Sequence, residues 1–95
     1  MKSHVRENMA KNAIMNGIRL IPRDDGTAYA ELSGLAWDLV STMADDVTIS
    51  NILYLPDKTW QADAEYRGKK CTCIDSGLGE VVITARDKVK ELANE

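Results

Sequence analysis

Ninety-five residues, 44% of them hydrophobic and 28% charged, make one folded domain and not two. A chain of this size buries roughly 60–65% of the surface it exposes when unfolded, so it folds alone with little stability in reserve. The composition excludes a disordered, collagen-like or rod-like coiled-coil chain.

Ser3 is placed to cap a first helix that Asn16-Gly17 would stop. Val5, Met9, Ala10, Ala13 and Ile14 form its apolar side, and Glu7 and Lys11 a favourable i,i+4 pair. Ile18 to Ile21 then reads as a short strand before an Asp-Gly turn, kept off the sheet centre by Pro22. From Ala28 to Ala44, Leu32, Leu35, Ala36, Leu39, Val40 and Met43 recur at helical spacing, with Glu31, Asp38 and Asp45 on the outer side and Thr27 as the cap. Gly34 costs that helix about 1 kcal/mol relative to Ala unless another element packs closely there.

Val47 to Leu55 has two readings. Ile49, Ile52 and Leu53 would share a helix face, whereas Val47, Ile49, Leu53 and Leu55 alternate with polar residues as a strand does; the β-branched start favours the strand. "TWQADAEY" alternates Trp60, Ala62, Ala64 and Tyr66 against Gln61, Asp63 and Glu65. "RGKK" is a hairpin tip, "CTCI" the return strand, "DSGLG" a turn and "EVVIT" a further strand. Thr84 would cap a closing helix from Ala85 to Ala93. The expected fold is α+β: two N-terminal helices, an antiparallel meander of three or four strands, and a C-terminal helix.

No apolar stretch of signal-peptide length opens the chain, and no segment nears the roughly 18 apolar residues of a membrane span. Cys71 and Cys73 are the only cysteines. One residue apart on an extended chain, they share a face but are poorly placed to bond each other, and a small secreted domain usually carries more bridges. A cytoplasmic, reduced protein without membrane contact is expected; a homo-oligomer is compatible with the sequence. Two cysteines fall short of a four-ligand zinc site, and small apolar side chains of the core are the expected role for both.

The net charge of −3 conceals an uneven layout. Residues 1–23 carry five basic side chains against Glu7. Residues 24–57 hold Asp24, Asp25, Glu31, Asp38, Asp45, Asp46 and Asp57 without one Lys or Arg, and from Lys58 onward the signs balance.

This layout bears on the outline of a helix-turn-helix at Ser41–Tyr54. Reading a duplex would set Asp45 and Asp46 against phosphates with no cation to hold the register. The central third is therefore expected to repel polyanions and to face water or a positively charged protein. Arg67, Lys69 and Lys70 at the hairpin tip, with Arg86, Lys88 and Lys90 as possible neighbours, offer the alternative: a DNA-binding regulator with a basic wing.

Catalytic signals are weak. His4 is the only histidine, neighbouring aspartates do not converge on one bond, and Gly77-Leu78-Gly79 reads as a turn and not as a phosphate loop. No motif calls for a cofactor or a metal. The sequence thus points to a non-enzymatic protein-binding module, an adaptor or inhibitor of a basic protein partner, using Trp37, Asp38, Asp45 and Asp46 with Tyr54 as a second aromatic anchor.

Overall fold

The computed structural model describes residues 17–94. Its first two strands, β1 (Ile18–Pro22) and β2 (Ala28–Leu32), pair antiparallel across a turn containing Gly26, whose φ of 88° suits glycine. Asp25 closes this turn by accepting the Thr27 backbone N–H at 3.0 Å and the Thr27 hydroxyl at 2.6 Å. Helix α1 (Gly34–Ala44) follows, then β3 (Thr48–Tyr54), β4 (Trp60–Tyr66), β5 (Lys69–Asp75) and helix α2 (Leu78–Ala93). The strands form one antiparallel sheet in the order β1-β2-β3-β4-β5. The expected α+β class and antiparallel meander are present, with five strands.

Two expected helices have different boundaries. Ala28–Leu32, placed in the second helix by its apolar spacing, is a strand: Ala30 and Leu32 point inward while Tyr29 and Glu31 point out. The Asp25–Gly26 turn delivers this segment to β1, and the ladder of hydrogen bonds outweighs helical spacing in residues that suit either state. The cap moves from Thr27 to Ser33, whose hydroxyl accepts the Ala36 N–H at 3.2 Å. The helix thus lies between β2 and β3. At the other end, "EVVIT" is the opening of α2, which starts seven residues before the expected Ala85. Val81, Val82, Ala85 and Val89 all turn to the core, so burial of one helix face overrides the strand preference of the valines. The expected first helix, Ser3–Asn16, lies outside the described residues, as does His4.

Both helices cover the same face of the sheet, α1 against β2 and β3, α2 against β4, β5 and α1. Ala62 and Ala64 form the floor under α2, both almost completely buried, and their small side chains permit close approach of helix to strand. Trp60 closes one end of that floor and stacks at a tilt on Tyr54, ring centres 4.8 Å apart. On the opposite, uncovered face the register places Ile21, Tyr29, Leu53, Gln61 and Ile74 in one row across all five strands. Such cross-strand neighbours shield one another and stabilise the sheet.

The β3–β4 ladder is interrupted between Ser50 and Leu53. Asn51 occupies this bulge with φ 50° and ties it to β4, its side-chain amide donating to Asp63 at 3.0 Å. Within Val47–Leu55, Thr48–Tyr54 is therefore a strand with a bulge, and the helix-turn-helix outline at Ser41–Tyr54 resolves into helix, turn and strand. No helix among the described residues is long and apolar enough to cross a membrane.

Two substitutions test this packing. A Cβ at Gly34 meets nothing within 4 Å, so Gly34→Ala is expected to raise stability by about 0.5–1 kcal/mol in urea unfolding. Ala64→Leu overfills the floor under α2 and is expected to cost about 1–3 kcal/mol in the same assay; a neutral result would show that α2 does not pack closely on β4.

Candidate partner-binding groove

Three of the five residues selected from sequence for partner binding line one feature. A groove of about 270 Å³ between α1 and the start of β3 is lined by Trp37, Asp45 and Asp46, with Val40, Ala44, Val47 and Ile49 as its apolar part and Ser41 and Thr48 as polar neighbours. Trp37 is half-buried, one edge in the core and the remainder open to the groove. Asp38 follows it on the exposed side of α1. Tyr54 is not among the lining residues; it sits six residues along β3 from Thr48 and packs on Trp60.

The rim of the groove is made where α1 stops. Asp45 takes φ 61°, turning the chain out of the helix, and Val47 N–H returns to the Ala44 carbonyl at 3.1 Å. α1 has no basic residue in its own last turn. α2 supplies the missing positive charge: Arg86 donates to the Met43 carbonyl at 2.9 Å, and Lys90 lies 2.9 Å from Asp45 and 3.0 Å from Asp46. Cations at a helix C-terminus are favoured by the partial negative charge of its free carbonyls. The hydrogen bond from Lys90 holds the Asp46 carboxyl below the usual aspartate range, and Asp45 followed by Asp46 raises the Lys90 ammonium above the usual lysine range.

These contacts correct the electrostatic expectation for the central third. Of its seven carboxylates, Glu31 pairs with Arg19 at 2.8 Å, and Asp45 and Asp46 share Lys90. Bases from outside the segment thus neutralise part of it, while Asp38, outside the groove lining, has no ion pair among the described residues. Asp25 and Asp57 are engaged with Thr27 and Thr59 inside their own turns.

The basic hairpin is present, with Arg67 (φ 51°) and Gly68 (φ 80°) in the positive-φ pair of a tight turn. Arg67 lies over the Tyr66 ring at 5.0 Å, and Lys69 and Lys70 begin β5 as exposed residues. Two of the three supporting cations on α2 are engaged elsewhere, Arg86 by Met43 and Asp87, Lys90 by the two aspartates and the Tyr66 ring, while Lys88 is exposed. The glycine-rich stretch does precede a helix, since Gly77 is the N-cap of α2. The place an added Gly77 side chain would take is filled by the Glu80 carboxylate at 2.7 Å, and Asp75 accepts the Ser76 N–H at 2.7 Å. The chain's own carboxylates therefore crowd the site an incoming phosphate would need.

Sequence reasoning missed Arg86 and Lys90 as parts of this site. Their i,i+4 spacing falls within the expected closing helix, but their target depends on α1 and α2 lying side by side. Comparison with protein-family models, curated protein sequences and solved structures gives no match to this chain.

The pH dependence of the rim follows from the signs of the shifts. Because Asp46 is lowered in the fold, its contribution to stability is present above the ordinary aspartate value of 3.8 and is lost as pH falls below it. Lys90 is raised, so its contribution is present below 10.5 and is lost only as pH rises beyond that value. Asp46→Asn is expected to lower stability at neutral pH and to converge with the wild type in acid. Parallel stability curves down to about pH 2 would contradict the linkage.

Proposed function

We propose that the protein is a small non-enzymatic binding module, an adaptor or inhibitor that occupies a basic surface of a protein partner through the α1–β3 groove. The observation that carries this reading is the meeting of Trp37, Asp45 and Asp46 in one groove, with Asp38 next to Trp37 on the exposed side of α1. A half-exposed indole over an apolar floor supplies area and a π-face for a guanidinium or ammonium group, and the carboxylates supply direction. An arginine of the partner suits this chemistry better than a lysine, since its planar head both stacks on the indole and binds a carboxylate through two donors. Asp38, exposed beside Trp37 and without an ion pair among the described residues, adds a carboxylate to this approach. Lys90 is the internal occupant of the other two, so partner binding proceeds by competition with an ion pair at the protein surface. Such exposed pairs exchange at small free-energy cost.

Titration with a short arginine-rich peptide, followed by NMR, checks this reading. Trp60 is buried, so the Trp37 indole is the signal expected to move, together with the amides of Asp45 to Thr48. Trp37→Ala and Asp38→Lys are each expected to weaken binding about tenfold, and the affinity should fall with salt. Shifts confined to other surfaces, or wild-type affinity retained by both variants, would exclude the groove. Salt-sensitive binding of duplex DNA that is lost on neutralising Arg67, Lys69 and Lys70 would favour the regulator instead.

A further inference from the structure

β5 is an edge strand, and its register sets Cys71 opposite Ala64 and Cys73 opposite Ala62 on the face beneath α2. Both cysteines are free and half-buried, not enclosed in the core as their small apolar character suggests. Their sulfurs lie 4.0 Å apart, and the Cys71 sulfur is 3.7 Å from the Ala85 carbonyl of α2. The alanines opposite leave the thiols without bulky neighbours across the strand, and the positive charge of Lys88 acts on the Cys71 sulfur, opposed by Asp63.

Two chemistries compete for such a pair. Residues two apart on a strand have α-carbons roughly 6.6–6.8 Å apart, at the upper limit that a disulfide spans. Closing the sulfurs to a bond of about 2.05 Å would distort a strand that is in regular register with β4 on one side and covered by α2. Sharing an ion needs no such movement. Metal–thiolate bonds of about 2.3 Å place two sulfurs on one ion ~3.8 Å apart at a tetrahedral angle and ~4.6 Å apart when opposed. The observed separation falls between these limits.

We propose that Cys71 and Cys73 form a two-sulfur binding site for a soft, thiophilic metal ion, of which monovalent copper is the first-row member. Zinc and iron–sulfur clusters demand four ligands, and among the described residues no group of three or more His, Cys, Asp or Glu is placed to hold a metal. Monovalent copper accepts two thiolates. Binding forms two metal–sulfur bonds, releases both thiol protons to solvent and changes no oxidation state. The resulting anionic pair, two thiolates on one monovalent ion, is partly balanced by Lys88.

Burial, followed by the neighbouring Cys73, pushes the Cys71 thiol up to about 11.

The experiment is competition for monovalent copper against a chromophoric chelator under anaerobic, reducing conditions, with the full chain. One ion per chain is expected, with Cys71→Ser and Cys73→Ser each weakening affinity by roughly 100-fold or more. Circular dichroism of each variant verifies that the fold is retained. As a second measurement, a trivalent phenylarsenical, which bridges paired thiols, should consume both thiols at one equivalent in the wild type. Undiminished copper affinity in either serine variant would overturn the site, because the ion would then be held elsewhere, as would two ions per chain or no competition with the chelator.

Discussion

The positive charge at the C-terminal end of α1 comes from the neighbouring helix and not from residues of its own last turn. Arg86 reaches the Met43 carbonyl and Lys90 holds Asp45 and Asp46, so two cations four residues apart on α2 answer the negative end of α1. The contact lies at the rim of the groove, where α1 turns into β3 at Asp45 and Asp46, with Trp37 two turns back on the same helix.

The same contact bears on the choice between partners. A nucleic-acid surface built on the hairpin would draw on Arg86 and Lys90 beside Arg67, Lys69 and Lys70. With those two turned to α1, the hairpin keeps a small group of cations at its tip, one of them lying over Tyr66. The acidic segment is also less exposed in charge than its composition implies, because Arg19 and Lys90 arrive from distant parts of the chain. What distinguishes the groove is therefore an indole beside two carboxylates shared with Lys90, with Asp38, which has no ion pair among the described residues, next to the indole on the exposed side of α1.

Strand alternation was legible in β4 and at the start of β3. Trp60, Ala62 and Ala64 announced β4, and the β-branched start of β3 favoured a strand at Val47–Leu55. Ala28–Leu32 misled because Ala and Leu satisfy a helical and an alternating pattern alike, and only pairing with β1 decides. The opening of α2 misled in the opposite sense: Val81 and Val82 prefer strands locally, and the sheet beneath them makes a helix the better way to bury both. Trp37, Asp45 and Asp46 could be singled out from charge layout and aromatic content. Their counter-ions could not, because a 45-residue separation between Asp45 and Lys90 leaves no local trace in the sequence.

Surface ion pairs are usually weak determinants of stability, but this one has a second consequence. If the groove receives a cationic side chain, Lys90 is its resident competitor, and removing that ammonium should help an arriving arginine while leaving the indole untouched. The most direct measurement is the affinity of an arginine-rich peptide for Lys90→Met, read from the Trp37 indole resonance. Tighter binding than in the wild type is the outcome this account requires. Equal or weaker binding, in a variant that retains its fold, would mean that the aspartates at the end of α1 serve the helix junction alone.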